Sequence, residues 1–267
     1  MPFFNPEPSL SIFYTTHGDP SHQAILLLHG WCCDSHDWNW QIPFLSKTYH
    51  VIAMETRGHG RSSAPLDVTY SIQTEVSDAI ALLRHLSIDN TVVMGHSMGG
   101  IIASALSAMH SEVVKALVII DTPYWLSQAE CDQRAKLYAS APNVAQLTQD
   151  FFQDHLCGPD QPEWMMTWYL RRIEGMSPEV IRKCIEGNMA PDGLQRSQVH
   201  HEFVKGKRTM PRFAINHTED DTVLERKLGA TNQDRFVTME GLGHWMHQVK
   251  SKEFNEMLGE WLKAVLG

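Results

Sequence analysis

Residues 91–100 read TVVMGHSMGG, and this stretch decides the fold expected for the chain. The apolar run Thr91–Met94 passes directly into a Gly-x-Ser-x-Gly pattern, and a segment of helical type, Met98–Met109, follows it. Glycine on each side of Ser97 leaves room for a strained turn between strand and helix, which lifts the serine hydroxyl above the strand end. The start of the helix places the N–H of Met98 beside that hydroxyl. The stretch therefore predicts a nucleophilic serine on a strand–turn–helix unit.

Apolar runs of strand length recur on both sides of this unit. They are Ala24–Leu28, His50–Met54, Val114–Ile120, Pro211–Ile215 and Arg235–Met239. The early runs are apolar at nearly every position, which is typical of strands covered by helices on both faces. Segments with helical spacing, such as Ser71–Leu86 and Ser251–Leu266, separate or follow the runs. This alternation predicts an α/β protein with a mostly parallel central sheet flanked by helices.

The alternation stops between Tyr124 and about Gly206, where helical pieces and large apolar side chains dominate. We therefore predict a core in two parts, residues 1–121 and 207–267, with a helical cap or lid at 122–206. Ligands bind at the carboxyl ends of the strands in such sheets, so the cap is expected to cover the site. The candidate substrate-binding residues on it are Trp125, Trp164, Met165 and Trp168. Such Met and Trp side chains form adaptable apolar walls, which predicts an apolar small-molecule substrate.

Composition narrows the possible partners. The 267 residues carry a formal charge of −9 and no basic run, which argues against nucleic acid. No apolar run approaches the length of a membrane span, so no membrane partner is expected. The five cysteines are odd in number and show no metal-ligand spacing, which indicates reduced thiols, no metal and no cofactor. Without a signal-like N-terminus, a cytoplasmic location is expected. Monomer and homodimer both stay open.

Four motifs together resemble the α/β-hydrolase family over essentially the whole chain. They are HGW at 29–31, RGHGRS at 57–62, GHSMGG at 95–100 and GLGH at 241–244. The resemblance implies the α/β-hydrolase fold with a helical cap inserted after the sixth strand. It also implies that His244 is the general base for Ser97, because a near-neutral imidazole suits that task. The backbone N–H of Trp31 would join that of Met98 as the second donor of an oxyanion hole.

The acid that orients His244 has two candidates. In the family, the turn after the penultimate strand usually reads Gly-x-x-Asp, which puts Asp220 in the position of the acid. Here His217 stands in place of the glycine. Asp121 is the alternative, because it ends the preceding strand and some branches of the family take their acid from there. Motif spacing favours Asp220 over Asp121.

A serine nucleophile with a histidine base predicts acyl transfer through a covalent acyl-enzyme, and hence a carboxylic ester or lactone hydrolase. The haloalkane dehalogenase and epoxide hydrolase branches use an aspartate in place of Ser97. One alternative is a cofactor-independent dioxygenase that opens quinolone rings. Parts of the chain are similar to those enzymes at residues 30–34, Asp121 and Trp125, but Cys33 and Met98 stand where histidines are expected. A second alternative is a small-molecule receptor that retains the triad.

Overall fold

The computed structural model describes residues 2–229 and 231–267, and the strands within them form one sheet. The strands are β1 (Phe3–Glu7), β2 (Leu10–His17), β3 (Ala24–Leu28), β4 (His50–Met54), β5 (Thr91–His96), β6 (Val114–Ile120), β7 (Arg212–Asn216) and β8 (Arg235–Thr238). Their order across the sheet is β1-β2-β4-β3-β5-β6-β7-β8. Strands β3 to β8 pair in parallel, whereas β1 and β2 form an antiparallel edge. The mostly parallel sheet predicted from the sequence is confirmed.

Helices cover both faces of this sheet. They are α1 (Ile42–Leu45), α2 (Ile72–His85), α3 (Met98–Met109), α4 (Gln128–Ser140), α5 (Val144–Phe151), α6 (Glu163–Gly175), α7 (Pro178–Asn188), α8 (Ser197–Val204), α9 (Glu219–Arg226), α10 (Met246–Val249) and α11 (Ser251–Leu266). A 3-10 turn spans Ser35–Trp38, and a π-helical turn spans Phe152–Leu156. None of the helices in the described residues has the length and apolar character needed to cross a membrane.

Burial on both faces explains why the central strands are apolar at almost every position. Every residue of β3, β4, β5 and β7 is buried. Along β3, Leu26 and Leu28 join the core beneath α2 and α3, whereas Ile25 and Leu27 join the core beneath α11. Each buried leucine or isoleucine contributes roughly 1.5–3 kcal/mol of transfer free energy. The two cores together hold the sheet rigid, and the carboxyl ends of its strands carry the site.

Helices α4 to α8 lie between β6 and β7 in the chain, so the break in strand–helix alternation corresponds to a purely helical segment among the described residues. A third core joins this segment to the sheet domain. Residues from the segment, including Tyr138, Phe152 and Tyr169, pack there with Cys32 and Trp245. The division of the chain into a core in two parts and a lid stays a prediction.

Three glycines allow the helix after β5 to approach the sheet closely. A Cβ on Gly95 would lie 2.1 Å from the carbonyl oxygen of Gly99, and one on Gly99 would lie 2.0 Å from that of Leu28. A Cβ on Gly100 would lie 1.8 Å from Oγ1 of Thr122. Such distances are far inside van der Waals contact, so no larger residue fits without moving the backbone. The glycines thereby fix the start of α3 between the ends of β3 and β6.

Candidate active site

Ser97 occupies the turn between β5 and α3 in a strained conformation. Its φ is +54° and its ψ is −122°, a region that residues with a side chain rarely adopt. The Ser97 N–H donates to the carbonyl oxygen of Ile120 at 2.9 Å, and the Ser97 carbonyl accepts from the N–H groups of Gly100 and Ile101. These bonds hold the turn in place, and the side chain faces a cavity at the strand ends. The strand–turn–helix unit deduced from the sequence is therefore present.

The cavity encloses about 250 Å³ and is lined by residues of both the sheet domain and the helical segment. Ser97, Asp121 and His244 all lie on its wall. The aromatic side chains that line it are Trp31, Trp125, Phe151, Phe152 and Trp245. The wall is predominantly apolar, as a binding site for a small organic molecule requires.

Of the four side chains predicted to bind substrate on the helical segment, only Trp125 lines this cavity. The prediction is wrong for Trp164, Met165 and Trp168, which all lie on α6. Met165 is buried in the third core, Trp164 is exposed, and the ring of Trp168 lies 3.9 Å from the guanidinium carbon of Arg172. The face that α6 turns to its neighbours depends on tertiary packing, which composition alone does not show.

His244 lies in the loop after β8 with one ring nitrogen already engaged. Its Nδ1 is 2.5 Å from Oδ2 of Asp121. This contact leaves Nε2 as the nitrogen free to take a proton, and His244 lines the same cavity as Ser97. The arrangement matches the general base that the resemblance implies: a carboxylate fixes the tautomer and the orientation of the imidazole.

The acid beside His244 is Asp121, and the preference for Asp220 is wrong. Asp121 follows β6 with a φ of +45° and is only 5% exposed. Burial alone would raise its pKa, but hydrogen bonds from His217 and His244 outweigh burial and hold the pKa of this carboxyl well below its ordinary value. Asp121 is therefore ionised throughout the working range of pH and can stabilise an imidazolium on His244.

Asp220 is displaced from the site by the way α9 begins. The side chain of Thr218 accepts a hydrogen bond from the N–H of Asp221, so the helix begins at Glu219, directly after the turn. Asp220 then lies in the first helical turn, where it is exposed. The side chain that reaches the acid from this segment is His217, which stands where the family pattern has glycine.

His217 forms a second contact with the acid that sequence reasoning missed. Its backbone N–H donates to Oδ1 of Asp121 at 2.9 Å, and its ring Nδ1 lies 2.7 Å from the same oxygen. Asp121 thus sits between two imidazoles, one on each carboxylate oxygen. The hydrogen bond to Asp121 raises the pKa of His217, although partial burial opposes the shift. The departure from glycine at this position was the only signal of the contact in the sequence.

The raised pKa of His217 predicts a pH-dependent contribution to stability. A histidine whose pKa is higher in the folded state stabilises the fold fully below its unfolded pKa, and the stabilisation is lost as pH rises through the folded pKa. We expect His217→Gln to lower Tm by about 2 °C at pH 5.5 and to have a smaller effect at pH 9. Differential scanning calorimetry at both pH values tests this. His201→Gln, on an exposed position of α8, serves as the control and should show no such difference. An equal loss at both pH values would contradict a charged contact.

The loop that follows β3 lies directly against Ser97. A Cβ on Gly30 would be 3.2 Å from the Cβ of Ser97. Among the described residues, the N–H of Trp31 donates to no backbone or side-chain acceptor. The indole of Trp31 packs edge-on against Tyr138 with 5.6 Å between ring centroids. Trp31 can thus offer its backbone as an oxyanion donor while its side chain forms part of the wall, and its role with Met98 in an oxyanion hole stays a prediction.

His96 contacts the backbone of the loop that carries His244. It is fully buried, and its Nε2 lies 2.9 Å from the carbonyl oxygen of His244. Burial, together with the neighbouring His244 and His247, lowers the pKa of His96 well below its usual value. A neutral ring that donates to this carbonyl fixes the backbone of the histidine loop.

The loop that carries His244 is also bonded to the helical segment. The N–H of His244 donates to the carbonyl oxygen of Leu156 at 2.8 Å, and Cys157 forms an antiparallel bridge with Gly243. Gly243 has a φ of +68°, and a Cβ on it would lie 2.3 Å from the backbone nitrogen of Gly158. The base is thus held by backbone contacts from the segment between β6 and β7 as well as by Asp121.

One cluster of side chains in the described part of the chain has the residue types of a metal site. Only Asp34, His36 and Glu55 bring candidate ligand atoms within 4.8 Å of one another there. Arg172 already pairs with Asp34, and Arg61 pairs with Glu55. The donor set is therefore a network neutralised by arginines, which fits a structural role better than a bound cation.

Comparisons with known proteins agree with this architecture. The chain is 22% identical over 308 aligned residues to bifunctional epoxide hydrolase 2 of Sus scrofa. This alignment covers 97% of the chain and 54% of that protein. The chain is also 37% identical over 133 aligned residues to a non-heme haloperoxidase of Rhodococcus erythropolis. That alignment covers 49% of the chain and 47% of the haloperoxidase. The alignments thus span about half the length of both relatives. The solved enol-lactonase of Burkholderia xenovorans LB400 has the same fold, with a TM-score of 0.82 at 20% identity over 98% of this chain and 100% of that one.

A family model matches more than half of the chain. The model for the alpha/beta hydrolase fold matches residues 23–183, which include the end of β3, the turn at Ser97 and the acid Asp121. With the sheet order and the site geometry, this match identifies the chain as a member of the α/β-hydrolase family.

Proposed function

We propose that this protein is a serine hydrolase that cleaves a carboxylic ester or a lactone of a small molecule. The observation that carries the proposal is the contact between Asp121 and Nδ1 of His244, in a cavity that Ser97 also lines. A serine hydroxyl is a poor nucleophile until an oriented base removes its proton, and this contact supplies the orientation.

In the proposed reaction, Oγ of Ser97 attacks the carbonyl carbon of the substrate while Nε2 of His244 takes the hydroxyl proton. The tetrahedral intermediate collapses, the carbon–oxygen bond breaks, and the imidazolium returns the proton to the departing alcohol. Water then attacks the acyl-enzyme with the same histidine as base, which releases the acid and restores Ser97. Asp121 stays ionised and stabilises the imidazolium in both halves.

The negative charge on the intermediate needs donors at the carbonyl oxygen. Met98 is the first residue of α3, and Gly30, the chain neighbour of Trp31, lies against the Cβ of Ser97. The backbone N–H groups of Met98 and Trp31 are the proposed donors. Each such donor typically lowers the barrier by roughly 3 kcal/mol. Both are backbone groups, one at the first residue of α3 and one in the turn after β3.

A ring-cleaving dioxygenase without a cofactor is the second candidate, and one observation favours it. The acid that meets His244 is the strand-end Asp121, and Trp125 lines the cavity, as the similarity to quinolone dioxygenases implies. In that reaction His244 would deprotonate the substrate and Ser97 would not be acylated. Oxygen uptake with a hydroxyquinolone distinguishes it from hydrolysis.

Labelling with a fluorophosphonate probe and peptide mapping tests the hydrolase directly. We expect the probe to modify Ser97 in the folded wild type, because only an activated serine reacts at a useful rate. His244→Ala should lose the label, and Asp220→Asn should keep it. A labelled sample then goes to a screen of esters and lactones.

Two outcomes of the labelling experiment would contradict the proposed hydrolase. If folded wild type stays unlabelled, or if His244→Ala is labelled as fast as wild type, Ser97 is not activated by His244 and the proposal fails. Consumption of oxygen by the same sample would then favour the dioxygenase.

A further inference from the structure

Arg134 is a cation on the wall of the candidate active-site cavity, and it forms no ion pair with the other described residues. It lies on α4, one turn before Tyr138. Other arginines are paired: Arg196 binds Asp132 of the same helix as Arg134, and Arg57 binds Asp78. Within residues 2–229 and 231–267, Arg134 forms neither a salt bridge nor a hydrogen bond. The acidic residue one turn earlier on α4, Glu130, accepts a hydrogen bond from Ser127 instead, so the guanidinium forms no direct ion pair with it.

Aromatic contacts fix the position of this guanidinium. Its central carbon lies 4.8 Å from the ring centroid of Phe151, which lines the same cavity. The neighbouring Phe152 packs on Trp31 with 6.2 Å between ring centroids, and Tyr138 packs on the same indole. Arg134 thus belongs to the aromatic wall that includes Trp31, which lies in the turn after β3.

The same wall contains buried polar atoms without partners. Nε1 of Trp31 and Oδ1 of Asn188 are both buried, and neither has a hydrogen-bond partner among the described residues. Both residues line the cavity, and Asn188 is only 4% exposed. Orphaned buried groups are costly. The indole N–H of Trp31 can donate to an anionic ligand, whereas Oδ1 of Asn188 is an acceptor and needs a donor such as a hydroxyl group or water.

The acidic residues of the cavity are already satisfied by other partners. Asp121 is bound by His217 and His244. Asp221 accepts the hydroxyl of Thr218 at 2.6 Å and lies in the first turn of α9. Neither carboxylate therefore pairs with Arg134, so its guanidinium is available to an anionic ligand in the cavity.

We propose that the substrate carries a carboxylate, that Arg134 binds it, and that the scissile ester or lactone carbonyl lies at Ser97. The planar guanidinium presents two N–H groups in the geometry of a carboxylate, and the low dielectric of an aromatic wall strengthens the pairing. The substrate class is then a monoester or a lactone of an acid that has a second, free carboxylate on an apolar body. This inference rests on the hydrolase proposed above, and it replaces the wholly apolar substrate predicted from the sequence.

Hydrolysis of matched esters tests the substrate class. The probes are mono-p-nitrophenyl esters of succinate, glutarate and adipate, with neutral p-nitrophenyl butyrate as the uncharged reference. We expect Arg134→Gln to raise KM for the preferred acid ester by about ten- to a hundredfold with little change in kcat. The neutral ester should respond less than twofold, and Arg134→Lys should restore part of the affinity. Arg171→Gln, on an exposed position of α6, is the matched control.

A binding measurement separates this inference from the hydrolase itself. We expect glutarate or adipate to raise the Tm of Ser97→Ala, and the same ligand to leave Ser97→Ala/Arg134→Gln unchanged. Binding without any labelling of Ser97 would sink the hydrolase and leave the carboxylate site standing. Conversely, the inference is overturned if Ser97 is labelled but neutral esters are preferred, or if Arg134→Gln changes both classes of ester equally.

Discussion

Asp121→Asn should lower kcat/KM for an activated ester by about ten-thousandfold, whereas Asp220→Asn should leave it within about twofold of wild type. An asparagine in place of Asp121 keeps the shape but cannot stabilise an imidazolium, and its amide group favours the wrong tautomer of His244. Asp220 lies on the exposed first turn of α9 and touches none of these groups. Steady-state kinetics with p-nitrophenyl esters measures both variants.

The comparison holds only if both variants fold. Circular dichroism and Tm should show native structure in each, because the backbone N–H of His217 can still donate to the side-chain oxygen that remains in Asp121→Asn. Equal losses in the two variants would contradict the assignment. A large loss in Asp220→Asn alone would move the acid to the turn after β7.

The second large effect concerns Ser97 and His244, the pair that we propose performs the chemistry. Ser97→Ala and His244→Ala should each lower kcat by roughly 10⁵- to 10⁶-fold, and the double variant should be no worse than either single one. The two groups act as a unit, because a base without a nucleophile and a nucleophile without a base are equally inert. The residual rate comes from the oxyanion donors and from substrate binding.

Ser77→Ala, on the exposed face of α2, is the control for serine replacement and should keep full activity. Losses that add in the double variant would show that Ser97 and His244 act independently. Appreciable turnover by Ser97→Ala would show that the serine is not the nucleophile, which is the result that ring-cleaving oxygenation predicts.

Local sequence was sufficient for the fold because the determining features are local. Burial on both faces makes β3, β4 and β5 apolar throughout, and the close approach of α3 to the sheet demands glycine at 95, 99 and 100. These constraints act within one element or between neighbours, so a pattern of residues can express them. The turn at Ser97 was predictable for the same reason.

The acid was not predictable from spacing, because the choice depends on how two distant loops pack. Asp121 and the segment 217–220 both follow strands that end at the same edge of the sheet. The structure decides between them through His217, whose backbone and ring both bind Asp121, and through Thr218, which begins α9 early. The composition of a loop does not reveal these contacts.

The wall of the cavity was hard to predict for a related reason. Amphipathic helices show which side chains are buried but not which partner buries them. On α6, Met165 packs in the third core and Trp168 packs against Arg172, so neither side chain lines the cavity. Phe151 at the end of α5 and Phe152 in the π-helical turn line it instead. The role of Arg134 was not predictable either, because a charged residue on an otherwise ordinary helix has no local mark of its orientation.

The backbone bond between Leu156 and His244, with the close contact of Gly158 against Gly243, constrains how such enzymes diversify. A new specificity is readily acquired when the segment that encloses the substrate can be exchanged as a module. In this protein the segment between β6 and β7 also bonds to the loop that carries His244, so a foreign segment grafted there would have to reproduce the backbone at 156–158. Replacement of these three residues would therefore be expected to disturb the position of His244 together with the segment itself.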